Sequence, residues 1–294
     1  MQQKKPFIIT TDSMSDLSAD YLKAHDIEVI SLTYTIDGQT YDYYNGLSSK
    51  DFYNKMRVGS QPMSSQFNPA DAEAVFERLV LEHGCDILHV SISSGLSGSV
   101  QSASQAAKTV MERHPGIRII AFDSLGASLG EGILVTKAVE KREEGLDVEA
   151  TNAYLESIRD HVCYLFTVDD IIYLYRGGRV SKTTAILGGM LDIKPLIKVD
   201  YEGHLIPTGK VRGRKRSLMA LVSSMEEHIG SWKDQNKTIY ITHGDAEEDA
   251  KFLARQIEDK LGFTDFDIQY LGTTIGVHTG PGLIALFFLA EKKF

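Results

Sequence analysis

Residues 93–99 read SSGLSGS, four serines and two glycines in seven positions. A turn of this composition offers hydroxyls and free backbone N–H groups, which suits an anion. Its glycines let the backbone approach a ligand closely. One serine suffices to cap a helix, so the surplus points to a ligand. The turn alone leaves phosphate, carboxylate and reaction oxyanion equally open. GSQPMSSQFNP, residues 59–69, gathers Ser64, Ser65, Gln66 and Asn68 between two helical patterns and by itself reads as a polar loop. GVHTGPG, residues 276–282, places His278 in a stretch stiffened by glycines and Pro281. An imidazole there either meets a carboxylate, carries a proton or is satisfied by backbone. YRGGRVSK, residues 175–182, contributes Arg176 and Arg179, and KVRGRKR, residues 210–216, contributes Arg212 and Arg214 within a basic run.

Several chemistries are excluded. The sequence holds no G-x-S-x-G elbow, Walker loop, G-x-G-x-x-G or H-E-x-x-H motif. TDSMSD brings Asp12 and Asp16 together, but no second acidic cluster completes a metal site. Ser94 and His278 could pair as nucleophile and base, yet no orienting acid stands nearby in sequence. With 294 residues, 43% hydrophobic and 24% charged, the chain can bury a large core. A net charge of -9 disfavours general nucleic-acid binding. The opening MQQKKPFIIT does not read as a secretion signal, no apolar run reaches a membrane span, and Cys85 and Cys163 read as buried thiols of a reducing cytoplasm.

The elements that must position these residues alternate. Strand patterns KPFIITTDS, IEVISLTYTI, CDILHVSI and IRIIAFDS are separated by helical ones, including NPADAEAVFERLVLEHG with Asn68 as cap and Gly84 as stop. Continuous apolar strands alternating with helices predict a parallel sheet covered on both faces. The second half reads as a mixed sheet with helices on one face: strands VCYLFTVDD, KTIYITHG and FDIQYLGTTIG, and a hairpin turning at Glu202-Gly203. A boundary near residue 160 divides the chain into residues 1–160, a three-layer α/β/α domain with the serine-rich loops, and residues 161–294, a mixed α/β domain with the RGGR, basic and HTGPG motifs.

TDS-x-SDL, P-x-SSQ-x-x-P, ISSGLSGS-x-QSA, FDS, YL-x-RGGRVS, IKPLIKVDYEG, K-x-RG-x-K and H-x-GPG occur in this order along nearly the whole chain. The sequence thereby resembles the DegV family, the bacterial fatty-acid-binding proteins that serve a fatty acid kinase. The resemblance implies a two-domain α/β fold, a single DegV module overall, that buries one long-chain fatty acid with its carboxylate at the domain junction. It assigns the carboxylate to Ser64, Ser94 with the adjacent Ser93, and His278. It implies no cofactor and no chemistry of the chain's own: the loaded acid would be presented to a separate kinase that makes an acyl phosphate, a step in phospholipid synthesis. Arg176, Arg179, Arg212 and Arg214 would face that partner or its phosphate. Ser64 stands where the family usually has threonine, and SQFNP stands where the family often has SQPSP, so that Phe67 alters the pocket lip. An acyl hydrolase using Ser94 and His278 is the alternative.

Overall fold

The computed structural model describes residues 7–181 and 192–293. Lys182 of the YRGGRVSK motif lies outside them.

Four parallel strands form the first sheet in the order β2 (Glu28–Ile30), β1 (Phe7–Asp12), β6 (Asp86–Ser91) and β7 (Ile119–Asp123). Their apolar residues point both ways. Ile8, Ile87 and Ile119 pack under α3 (Pro69–His83) and α4 (Ser99–Arg113). Phe7, Ile9, Leu88 and Val90 pack under α1 (Ala19–Ala24), α5 (Leu129–Glu143) and α6 (Val148–Arg159). This is the three-layer arrangement the strand patterns predict. α3 starts where expected: Asn68 accepts from Asp71 N–H while Asp71 accepts from Asn68 N–H, and Gly84 ends the helix in the left-handed conformation.

IEVISLTYTI is not one strand. It breaks at Ser31-Leu32, and β3 (Thr33–Ile36) leaves for a separate antiparallel sheet with β4 (Gln39–Tyr41) and β5 (Met63–Ser65). The polar stretch 59–69 therefore contains a strand. Pairing with β3, which places Ser64 opposite Tyr34, outweighs its weak intrinsic preference.

The third sheet has six strands, in the order β10 (Leu205–Arg212), β9 (Ile193–Val199), β8 (Val162–Thr167), β13 (Ile284–Leu289), β11 (Ile239–His243) and β12 (Phe266–Tyr270). Its central strands β8 and β13 are buried throughout. On one face Cys163, Leu165, Leu286 and Phe288 meet α8 (Arg214–Ile229) and α9 (Glu247–Leu261). Helices cover more than the single face expected, because the other face meets α5. Tyr164, Phe166, Ala285 and Phe287 share one core with Leu129, Ile133 and Leu134. α5 thus lies between the two large sheets. Gly126 and Gly130 make this contact possible, since a Cβ at either would fall about 2 Å from the Tyr164 ring or its hydroxyl. FDIQYLGTTIG ends as a strand at Tyr270, and α10 (Thr273–Thr279) follows, so His278 sits in the last turn of a short helix rather than in a loop.

Candidate functional site

A cavity of about 420 Å³ lies between the sheets, within the range of small-molecule sites. Its walls are mostly apolar: Met14 and Leu32 from the first half, Phe166, Val199 and Phe287 from the inner face of the six-stranded sheet, and Leu271 before α10. Ser64, Ser97, Arg179 and His278 add polar groups to that wall.

Ser64 comes from β5 and His278 from α10, and the fold brings them together: Ser64 Oγ and His278 Nε2 are 2.7 Å apart. α7 (Ile172–Arg176) runs into Gly177, whose backbone lies so close to the imidazole that a Cβ would stand 2.1 Å from Nδ1. His278 Nδ1 is buried with no hydrogen-bond partner among the described residues. Burial first, and the Arg179 charge second, push the imidazole down to about 4, so the ring is neutral at pH 7.

Arg179 is half-buried. Its Nε and Nη2 donate to Leu96 O at 3.1 and 2.8 Å, and Nη1 donates to Gly177 O. Burial lowers its pKa. Among the described residues no carboxylate pairs with it, so a desolvated guanidinium meets only carbonyl dipoles. A charge held this way is costly, and an anion in the cavity would relieve that cost through charge-assisted hydrogen bonds.

The SSGLSGS turn contributes differently than expected. Ser93 is fully buried, but its hydroxyl donates to Gly203 O at 2.9 Å and accepts from Gly95 N–H at 3.0 Å, so it ties the turn to the β9–β10 hairpin. Ser94 is exposed, gives its N–H to Asp123, and does not line the cavity. Leu96 and Ser97 both donate backbone N–H groups to Ser93 O. This tight turn brings Ser97 rather than Ser94 to the cavity wall. Gln66 fixes the turn against the β5 stretch: it accepts from Gly98 N–H at 2.8 Å, and a Cβ at Gly98 would collide with it. Ser97 was within reach of sequence reasoning as one of the surplus hydroxyls. Which serine faces inward depends on the turn's backbone path.

The basic residues separate. Arg176 and Arg212 are exposed. Arg214 is engaged: it pairs with Asp249 at 2.8 Å and donates to Gly282 O at 2.6 Å, locking α8 to α9 and to the start of β13. Arg179, expected with the partner-facing group, instead belongs to the cavity.

The family of uncharacterised DegV proteins matches residues 6–291. The chain belongs to the DegV family. A DegV domain-containing protein of Clostridium perfringens is 38% identical, with 98% of this chain and 99% of that one covered. Among solved structures, a DegV family protein from Thermus thermophilus described as binding fatty acid superposes with a TM-score of 0.85 at 31% identity, covering 97% of this chain and 99% of that one. Bacillus subtilis DegV, described as a fatty acid binding protein, gives 0.84 at 26%, covering 98% and 100%. A stearic-acid-binding protein from Eubacterium ventriosum gives 0.84 at 25%, covering 97% and 98%. The DegV fold accounts for both large sheets and hence for the cavity between them. Among the described residues no cluster of metal ligands occurs, and no helix is long and apolar enough to cross a membrane.

Proposed function

We propose that this protein binds a long-chain fatty acid, with the acyl tail in the apolar cavity and the carboxylate among Ser64, Ser97, His278 and Arg179. The observation that carries this reading is Arg179, a half-buried cation with no carboxylate partner among the described residues, lining an apolar cavity beside the Ser64–His278 pair. Each buried methylene adds about 0.8 kcal/mol, so the tail supplies most of the gross affinity and the polar cluster fixes its direction. The fatty acids named for the related structures support the same ligand class.

The protein acts as a carrier rather than a catalyst. Among the described residues His278 Nδ1 meets no carboxylate that would orient and charge a general base, and the neighbouring Arg179 charge opposes protonation. The pair formed by His278 is with Ser64, not with Ser94. The carrier presents its acid to a separate fatty acid kinase in the cytoplasm, feeding acyl phosphate to phospholipid synthesis. The exposed cations support that step. Arg212 ends β10 opposite Ile193, at the edge of the sheet from which α7 departs, and Arg176 ends α7. A domain boundary near residue 160 is part of this reading; it is supported by the strands before it building the parallel sheet and the small antiparallel one, and those after it the six-stranded sheet.

Native mass spectrometry of protein purified from its host tests the ligand. A retained mass matching a C14–C18 fatty acid, released on denaturation, is the expected result. A covalent acyl adduct on serine would replace the carrier by a hydrolase, and a protein that neither retains nor rebinds such an acid would refute the reading.

A further inference from the structure

Beyond Met14, which lines the cavity, the TDSMSD motif contacts the starts of two elements that line it through Asp16. Asp16 lies in the β1–α1 loop with φ +52°, a left-handed conformation that non-glycine residues seldom adopt. Its carboxylate is inserted between the starts of two helices. Oδ1 accepts from Gly272 N–H at 3.1 Å, immediately before α10, and Oδ2 accepts from Ser128 Oγ at 2.5 Å, immediately before α5. Ser128 lines the cavity, and so do Thr274, Ile275, His278 and Thr279 of α10. The fit at Gly272 admits no side chain, since a Cβ there would stand 2.4 Å from Asp16 Oδ1. Gly272 O in turn accepts from Gly276 N–H, the bond that opens α10.

We propose that Asp16 is a positioning residue for acyl binding: its carboxylate holds the start of α10 against that of α5, and through α10 it sets where His278 meets Ser64 and the ligand. This deepens the fatty-acid reading, on which its binding test rests.

The carboxylate is poised to report on this role. Burial pushes it up to about 7, with the bonds from Ser128 and Gly272 pulling down and Asp12 adding to the rise. The titratable groups around it are Asp12 of β1, held up to about 6, Glu131 of α5, held well up by burial, Tyr53 of α2 (Ser49–Arg57), and Tyr43. All remain in a variant at position 16. Protonation makes one carboxylate oxygen a donor and removes the charge that strengthens both bonds, so the bonds from Ser128 and Gly272 are no longer both accepted as they are by the ionised group.

The experiment compares hexadecanoate affinity of the wild type and Asp16→Asn by calorimetry from pH 5.5 to 8.5. The ratio of the two dissociation constants cancels the titration of the fatty acid itself. We expect a loss of about tenfold at pH 8 that shrinks toward parity near pH 5.5, where the wild-type carboxyl is itself protonated. A merely structural defect would give a ratio independent of pH, and either that result or parity throughout overturns the proposal. Gly272→Ala supplies a second arm should Asp16→Asn fold poorly. It keeps the charge but blocks the contact, and is expected to reproduce the loss at pH 8; wild-type affinity there overturns the proposal. Amide exchange at Gly276 in the ligand-free protein separates the two readings. Faster exchange in Asp16→Asn at pH 8 supports the positioning role even if the wild type binds no hexadecanoate, an outcome that sinks only the fatty-acid reading. Unchanged exchange in a wild type that does bind sinks the role of Asp16.

Discussion

At the scale of single residues, the polar end of the cavity combines Ser64 bonded to His278, Ser97 bonded to Ser99, an unpartnered His278 Nδ1 and Arg179 with no carboxylate partner among the described residues. Ser64→Ala removes the hydroxyl bonded to His278 Nε2 and is expected to weaken fatty-acid binding by about 1–3 kcal/mol, read by calorimetric titration of a folded variant. Ser97→Ala should fall in the same range. Ser94→Ala should leave affinity unchanged, because that side chain is exposed and outside the cavity; a loss there would mean the turn rearranges on binding. His278 has a definite sign. Its folded pKa, about 4, lies below the ordinary 6.5. The stability that comes from keeping the ring neutral is thus present above pH 6.5 and lost as pH falls toward 4. A bound carboxylate favours the imidazolium and should raise this pKa. Histidine NMR with and without ligand checks the direction, and an imidazole that titrates identically in both would take it away from the carboxylate.

At the scale of elements, the site depends on close backbone approaches. α7 can pass His278 only because residue 177 is glycine. Gly177→Ala should displace the imidazole, weakening binding about tenfold or more while leaving the fold intact, because α7 is short and its C-terminal residues Tyr175 and Arg176 are exposed. A ligand-bound structure or titration with wild-type affinity would show that His278 can shift without cost. β10 presents a second case. It is an edge strand with Pro207, a register shift between Pro207 and Gly209, and exposed Lys210 and Arg212. All of these discourage edge-to-edge pairing, so part of the basic run has a structural reason. Partner docking is tested by reversing charge at Arg212 alone, since Arg214 is an internal tie. Arg212→Glu should preserve fatty-acid affinity and slow acyl phosphate formation by added kinase and ATP at low salt. An unchanged rate leaves the edge-protection role alone.

At the scale of the whole molecule, α5 joins what would otherwise be two bodies. Its apolar residues belong to the same core as β1 and β6 on one side and β8 and β13 on the other. The cavity lies in that junction, so binding and global stability are linked. Calorimetry should show one cooperative unfolding transition despite the two large sheets. Added fatty acid at a hundred times its dissociation constant should stabilise the fold by about 2.7 kcal/mol. Two separate transitions, with only one shifted by ligand, would show that the halves unfold independently. Arg57 adds a polar tie across the same junction, donating to Asp245 Oδ2 and, at 3.1 Å, to its carbonyl.

The sequence by itself determined most of the elements and their order. Period-two and continuous apolar runs, Asn68 as cap, Gly84 as stop and the Glu202-Gly203 hairpin are local signals, and local energies decide them. The ordered motifs also carried the family, and with it the pairing of the SSQ loop with the histidine at the far end of the chain. Tertiary structure decided what depends on distant neighbours. β5 exists because β3 offers it hydrogen bonds, and His278 is helical because the chain turns into a short helix after Gly272, packed against distant elements. Ser97 replaces Ser94 at the cavity because a tight turn on Ser93 rotates it inward. Arg179 and Arg214 look alike in sequence, yet one lines a cavity with no acid partner among the described residues while the other is paired by Asp249. Charge and residue type are written locally. Which charge is left desolvated and unmatched, and therefore able to hold a ligand, depends on what the fold packs around it.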